Sequence, residues 1–366
     1  MKKNTFRFLV AFGVMALMTA FVGCSEKENG NNNSNTPGAT QESGVQNNFF
    51  DSANGRGLGD VAQDMMQVGD DIYITVSFSN SIEKMNPTTG KSSRFDTGND
   101  AETPRSMVAG SDGNIYVTCY YPRSVIRYNP ATQQVTGICQ LGDYQPEGIA
   151  EVNGKLYIAS GYITDENSNF HYDNKLYVVD MNSFTVVETI TVDINPDKVK
   201  KLDDNHIVFN TLGNYTDDNG GLYIMDVNSK AITELSVNLY NFDVCVGEIY
   251  GYTSTYGAAP DFYKLDANGN VTFLGIEWTA SDNPYGIAVN PYNDDIIITS
   301  DGNYTANGDC YVYTSSGTLR KGGIEVGLLP CKIVALDGNQ LIVLNQGNWG
   351  SNNASVSKLD LTKIAK

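Results

Sequence analysis

Few residues in this 366-residue chain are equipped for covalent chemistry. There are two histidines, His171 and His206. His206 opens a β-branched apolar run, where it packs or pairs. His171 lies in the acidic, aromatic stretch Asn169–Asp173, as a solvated loop residue that could also touch a ligand. The chain has no Gly-x-Ser-x-Gly elbow and no convincing Ser/His/Asp set, and nothing supports a Cys/His pair. Besides Cys24 there are five cysteines, Cys119, Cys139, Cys245, Cys310 and Cys331, with no CxxC spacing. An odd number cannot all pair within one chain, and they read as small buried hydrophobes rather than zinc ligands. The acidic stretches Thr164-Asp165-Glu166-Asn167 and Thr216-Asp217-Asp218-Asn219 offer oxygen ligands for Ca²⁺ but lack EF-type spacing, so they read as solvated loops. The expectation is a binding protein with no catalytic residues, no resident cofactor and no metal.

What the chain has in abundance is aromatic residues beside amides. Gly213-Asn214-Tyr215, Gly302-Asn303-Tyr304 and Gly347-Asn348-Trp349 place an aromatic after Gly-Asn three times, each just past an apolar run. Those runs belong to a repeat. Similar short segments begin at Asp71, Asn114, Lys155, His206, Glu248, Asp295 and Gln340, with a spacing of about 41–51 residues. Each is a β-branched and aromatic stretch between turn residues, which reads as a strand. Upstream lies another small apolar strand, often opening at proline: Pro104, Pro146, Pro196, Pro284, Pro330. Downstream, after a variable loop, come an alternating strand, a short turn and a fourth strand. Four antiparallel strands at about 45-residue intervals make a propeller blade. The fold class is therefore all-β, a seven-bladed β-propeller.

The seventh unit has room for only three strands. Val45–Phe50, ahead of the first unit, is expected to supply its missing outer strand and close the ring, removing an open sheet edge.

With strands lettered a to d from the axis outward, the long b–c and d–a connections emerge on one face. Loops on a rigid scaffold are where binding usually resides. That face collects Tyr120, Tyr121, Tyr162, Tyr215, Tyr256, Tyr304 and Trp349 from b–c loops, together with Phe170 and Tyr172. The d–a loops add Tyr144, Tyr240, Phe242, Trp278 and Tyr285. Tyr and Trp give rigid amphipathic contact area at little entropic cost. By alignment of the repeats, Gln63, Arg105, Glu147, Asp197, Phe242, Tyr285 and Cys331 point toward the central funnel. Tyrosine is also β-favoured, so each of these residues has a packing role as its alternative.

At the N-terminus, Lys2 and Lys3 precede an apolar run over residues 6–22. This reads as a secretory signal rather than a membrane span. Phe21-Val22-Gly23-Cys24 resembles a bacterial lipobox, which implies lipidation at Cys24. Residues 25–45 are polar and poor in apolar groups, a flexible tether of roughly 25 Å r.m.s. reach. Ser25-Glu26-Lys27-Glu28 resembles the export signal of surface-exposed lipoproteins of Bacteroidota. The organisation expected is thus 1–24 signal, 25–45 tether and 46–366 propeller. The formal net charge of −18 argues against nucleic acid and against anionic lipid as a peripheral partner.

The Pro-x-Gly-Ile-Ala starts, the Leu-Tyr-Ile strands and the Asn-Pro-x-Thr turns resemble the YVTN/YncE-like seven-bladed propellers. Joined to a lipobox and a Tyr- and Asn-rich crown, the chain looks most like the BtuG-like surface lipoproteins that capture vitamin B12. That resemblance implies an outer-membrane, cell-surface, lipid-anchored protein. It also implies corrinoid binding on the aromatic face and hand-off to a TonB-dependent transporter. A glycan- or siderophore-binding surface lipoprotein is the alternative. Pro146-Glu147-Gly148 and Ser300-Asp301-Gly302 also resemble pieces of the calcium-dependent lactonase propellers, which usually have six blades.

Overall fold

The structure, a computed structural model, describes residues 44–98, 101–164, 169–215, 219–254, 258–278 and 280–364. Cys24, the signal, the tether as far as residue 43 and Tyr256 lie outside the described residues, as do parts of both acidic stretches; Val45, the last residue assigned to the tether, belongs to the propeller. The described residues form seven four-stranded antiparallel sheets, each built from consecutive strands save one. Five of the innermost strands open at the prolines of the repeat: Pro104–Ala109, Pro146–Val152, Pro196–Lys201, Pro284–Val289 and Pro330–Ala335. Proline is tolerated as the first strand residue because no ladder hydrogen bond is needed from it there. The a strands of blades 1 and 5 are Ala62–Val68 and Asn241–Cys245.

The exceptional sheet is blade 7. Its a, b and c strands are Pro330–Ala335, Gln340–Asn345 and Ser355–Asp360, and its outer strand is Val45–Gln46. Val45 pairs with Leu359 and Gln46 with Lys358. The ring is closed by the N-terminal segment, as the sequence predicts, but the strand is shorter than Val45–Phe50. Asn48 turns into the left-handed region at φ 54°, and Phe49–Asn54 forms a short helix, α1. Phe49 and Phe50 are buried by this helix rather than by strand pairing. The Lys358 ammonium lies 5.0 Å from the Phe49 ring centroid, and the Arg56 guanidinium 5.0 Å from that of Phe50.

The core is distributed. Seven apolar clusters each join two neighbouring blades, from Ile72 and Leu344 between blades 1 and 7 to Ile297 and Val343 between blades 6 and 7. Burial on both faces explains why the b strands read as continuous apolar runs.

Polar ties repeat around the axis as well. In blade 1 the Thr75 hydroxyl accepts from the Asp64 backbone N–H and donates to the Arg105 carbonyl of blade 2 at 2.6 Å. Thr118 does the same between Ser106 and the Glu147 carbonyl, and Asn210 between Lys198 and the Tyr240 carbonyl. Each tie holds the start of strand a where its register shifts: Gln63 bulges into the axis in blade 1, and the two residues after proline do so in blades 2 and 4. Gly148 sits at one such bulge because blade 4 passes so close: a Cβ there would lie 2.6 Å from the Asp197 carbonyl oxygen.

Candidate functional site

The seven inner strands, all bulged except that of blade 5, enclose a funnel of about 1160 Å³. It opens on the b–c and d–a loop face and runs the length of the inner strands, past Met66, Ala109 and Lys201. The two loop classes are stitched together at the mouth: the Tyr120 N–H donates to Thr103, Leu212 to Asn195 and Gln346 to Leu329. Val61, Thr103, Asn195 and Leu329, each directly before strand a, have φ between 53° and 62°. Left-handed Val and Thr are strained, and the repeated position of that strain is the funnel rim.

The structure brings ten of the thirteen sequence-predicted binding residues to this funnel. Tyr120, Tyr121, Tyr162 and Tyr215 edge one side. Tyr285, Tyr304 and Trp349 edge the other, with Arg105, Glu147 and Phe242 within. Phe242 is only 2 % exposed and belongs mainly to the blade 4–5 core with Leu239 and Ile249. Two others lie elsewhere. Trp278 is wedged between Phe262 and Tyr311 at 5.8 and 5.0 Å and donates its indole N–H to the Asp282 carbonyl, an inter-blade packing role. Tyr144 lies off the funnel, its ring 5.9 Å from the Lys175 ammonium. Tyr256 is outside the described residues.

The Gly-Asn-aromatic motif now has a mechanism. Gly213 and Gly347 have φ 64° and 75°, and a Cβ at either would lie within 2.6 Å of the returning loop. The latch is the asparagine six residues after the glycine. The Asn219 side-chain oxygen accepts from the Asn214 N–H at 2.9 Å, and that of Asn353 from the Asn348 N–H at 2.7 Å. These latches hold Tyr215 against Tyr172 and Trp349 against Phe78, with ring centroids 6.0 Å apart in both pairs. In blade 6, Asp301 takes the latch role by accepting from the Asn303 N–H. Asn353→Ala is expected to cost about 1 kcal/mol in urea denaturation and to raise Trp349 mobility in time-resolved fluorescence; unchanged anisotropy decay would show that the latch does not hold the ring.

Blade 3 departs from the loop expectation. Its b and c strands, Lys155–Thr164 and Phe170–Asp180, extend beyond the sheet as a hairpin in which Tyr162 faces Tyr172 across the ladder. The alternation Tyr162, Thr164 and Phe170, Tyr172 is the period-2 signal for this extension. Edge contacts then run from Tyr121 through Tyr120 and Tyr162 to Phe170 and Tyr172.

Beneath the aromatics the funnel is charged. Arg105 is ion-paired with Glu147 and stacks 4.8 Å from the Tyr120 ring centroid. Burial pushes the Glu147 carboxyl up to about 7, with Arg105 opposing and Asp197 adding to the rise. Burial likewise drives the Tyr120 and Tyr215 hydroxyls well above their usual range, so both are neutral donors at physiological pH. Lower down, the Asp64 carboxylate takes the Lys332 ammonium at 2.9 Å and the Met107 N–H, and Lys200 pairs with Asp243 at 3.0 Å. Sequence alignment had singled out the first residue after each proline. It missed the second, which yields Lys198 and, in the matching position of blade 1, Asp64. The bulge turns both positions inward, and a Pro-x-polar reading of the repeat would have found Lys198 but not Asp64, whose strand has no proline.

Neither histidine lines this funnel. His206 pairs with Asp203 at 2.9 Å on the opposite, a–b turn side, and His171 sits on the blade 3 hairpin. Asp301 caps its own turn and Glu147 is held by Arg105, so the two lactonase-like carboxylates are each engaged by protein groups. Among the described residues no cluster of three His, Cys, Asp or Glu is placed to hold a metal.

The fold and the site thus define a seven-bladed β-propeller with an aromatic-rimmed, charged funnel. No protein-family model and no curated protein matches the chain. Solved structures do resemble it. Streptogramin B lyase matches with a TM-score of 0.63 at 14% identity, covering 86% of this chain and 97% of that one. Hydrazine synthase of Kuenenia stuttgartiensis matches with a TM-score of 0.63 at 17% identity, covering 82% and 96%. Virginiamycin B lyase from Staphylococcus aureus gives 0.59 at 16% identity, covering 87% and 98%. At these identities the likeness is one of fold.

Proposed function

We propose that this protein is a capture protein whose funnel face binds a bulky, partly polar small molecule, with a corrinoid as the leading candidate. The observation that carries the reading is the funnel itself, about 1160 Å³ and rimmed by tyrosine and tryptophan over amide and charged groups. Drug-sized ligands fill roughly 300–1,000 Å³, so this cavity suits something larger. A corrinoid offers a broad apolar ring system edged with amides, which matches aromatic walls interleaved with Asn195, Asn241, Asn283 and Gln346. The rim is held before any ligand arrives, which favours affinity by cutting the ordering cost.

Binding rather than catalysis is the second half of the proposal. A catalytically inactive form of virginiamycin B lyase carries a histidine-to-alanine change; here both histidines stand away from the funnel lining. The lipobox-like Cys24 and the polar segment after it support a lipid-anchored cell-surface protein. Such a tether would raise its effective concentration beside a TonB-dependent outer-membrane transporter, the proposed recipient.

Isothermal titration of the protein with cyanocobalamin tests the reading, with haem, a ferric siderophore and oligosaccharides as comparison ligands. Selective tight binding is expected. Tyr121→Ala and Trp349→Ala, at rim residues 49% and 38% exposed, should each weaken it about 10- to 30-fold, or roughly 1.4–2 kcal/mol. A folded protein that ignores cyanocobalamin would remove the corrinoid reading. Oligosaccharide binding instead would assign the two exposed rings to sugar stacking.

A further inference from the structure

The whole chain is strongly acidic, yet its funnel is not. The lining holds five cations, Arg105, Lys198, Lys200, Lys201 and Lys332, against five anions, Asp64, Glu147, Glu151, Asp197 and Asp243. Four of the cations are ion-paired: Arg105 with Glu147, Lys200 with Asp243, Lys332 with Asp64, and Lys201 with Asp204. Among the described residues Lys198 has no carboxylate within 4.0 Å. Its ammonium donates to the Asn241 side-chain oxygen at 2.7 Å. The amide nitrogen of Asn241 donates to the Tyr285 carbonyl at 2.6 Å, which fixes which end of the amide faces the lysine. One of the three ammonium protons is thus spoken for, and the head is held in place. The Lys198 backbone N–H is fixed too, by Asn210 at 2.9 Å.

We propose that the funnel wall carries an oxyanion subsite centred on the Lys198 ammonium, which receives a phosphate or carboxylate group of the captured molecule. The inference rests on the funnel being the capture site. A cation without a carboxylate partner, held in a confined lumen by a neutral amide, retains donors and net charge for an incoming anion. In open water a lone lysine attracts an anion weakly, whereas the walls of a funnel focus its field. Arg105, Lys200 and Lys332 are neutralised by their own partners and contribute less. The charged groups acting on Lys198 are Asp197 on its own strand, Asp64 on blade 1, Glu147 on blade 3, Lys332 on blade 7 and its strand neighbour Lys200.

The direction of the pH effect follows. Burial, aided by Lys332 and Lys200 and opposed by Asp197, pulls the Lys198 ammonium down to about 8. An anion of constant charge should therefore bind below that value and be released as pH rises through it.

The test titrates the full-length protein with sodium sulfate at low ionic strength from pH 6 to 9.5, alongside Lys198→Met, Lys198→Arg and the exposed-site control Lys91→Met. Sulfate binding is expected in wild type and in Lys91→Met. It should drop at least tenfold in Lys198→Met, hold within about threefold in Lys198→Arg, and drop at least tenfold in wild type above pH 9. No sulfate binding to the folded protein, equal binding in Lys198→Met, or a flat pH profile would each overturn the subsite. If Lys198→Met fails to fold, the wild-type profile and Lys198→Arg still decide it. A parallel arm compares cyanocobalamin with cobinamide, which lacks the phosphodiester-linked nucleotide. Loss confined to cyanocobalamin in Lys198→Met places the phosphodiester at the lysine. Loss for both ligands would overturn the phosphate contact, and unchanged cyanocobalamin affinity would overturn the subsite while keeping the capture reading. Sulfate binding without any corrinoid binding would do the reverse.

Discussion

Replacing Glu83 with glutamine is expected to destabilise the propeller by about 3 kcal/mol in urea denaturation, the lower end of the range for breaking a buried pair, since both arginines that face it are about a third exposed. Glu83 is fully buried in strand c of blade 1, Ser81–Met85. Its two carboxylate oxygens meet the two terminal nitrogens of Arg56 at 2.8 Å each, a bidentate pair. Arg94 adds a third contact at 2.5 Å and the Ser92 hydroxyl a fourth at 3.0 Å. Two guanidiniums, 35% and 29% exposed, therefore converge on one carboxylate that is itself shielded from water. Glutamine keeps the shape but removes the only charge that both guanidiniums face in this cluster. What remains is partly buried positive charge without its counter-ion, and that, rather than the lost attraction alone, sets the cost. The effect reaches ring closure, because Arg56 follows α1 in the segment whose first residues form the outer strand of blade 7. Asn54 reinforces the same junction by donating to the Gly90 carbonyl and accepting from the Ser92 N–H. Hydrogen exchange should accordingly accelerate at Val45 and Leu359 in the variant. Ser92→Ala, which removes one neutral donor, should cost only about 1 kcal/mol. A loss below 1 kcal/mol for Glu83→Gln would mean that the cluster does not clasp the ring.

That clasp also marks where sequence reading stopped. The seven b strands were legible because burial on both faces leaves an uninterrupted β-branched run, and such runs at fixed spacing stand out. The missing outer strand of blade 7 was legible by counting. Its form was not, since Val45–Gln46 is two residues long and carries no period. The left-handed Asn48 that converts Phe49-Phe50 from strand to helix leaves no mark beyond an Asn-Asn pair. At the site, the loops that bear aromatics were found by their position after strand b. Which rings turn inward was not, because this depends on neighbours in the next blade. Trp278 follows strand d of blade 5 like a rim residue, yet the gap between Phe262 and Tyr311 takes it. Asp64 and Lys198 of the funnel wall were hidden for a different reason. Their inward direction comes from a bulge, and a bulge shifts side-chain parity without changing composition.

Arg105→Met is expected to lower stability by about 3 kcal/mol at pH 8, the lower end of the range for breaking a buried pair, since the arginine side chain is 29% exposed to the funnel. Most of that loss should disappear at pH 4.5. The reason is Glu147, which burial already holds at about 7 while Arg105 pulls the other way. Without the guanidinium, the carboxyl faces burial and Asp197 with only Lys198 opposing, so its folded-state value climbs further. A carboxyl whose folded value exceeds its unfolded one, near 4.3, binds protons more readily when folded. Between the two values the native state therefore carries more protons than the unfolded chain, and unfolding free energy falls as pH rises. Below both values the group is neutral in either state and the penalty is absent; above both it is complete. Other carboxylates titrate in wild type and variant alike, so the quantity to follow is the difference between them at pH 4.5, 6 and 8. The double variant Arg105→Met/Glu147→Gln removes the titrating group and should recover most of the loss at pH 8. A deficit of the same size at pH 4.5 and 8 would instead assign the role of Arg105 to packing under the Tyr120 ring. In that case Arg105→Lys, which keeps the charge but not the planar stack, should be as damaging as Arg105→Met. If the charge pair dominates, the lysine variant should retain much of the stability at pH 8, because a cation still faces Glu147. The same measurement bears on the funnel's ligand: a neutral Glu147 can donate a hydrogen bond to an amide oxygen, whereas the ion-paired carboxylate can only accept.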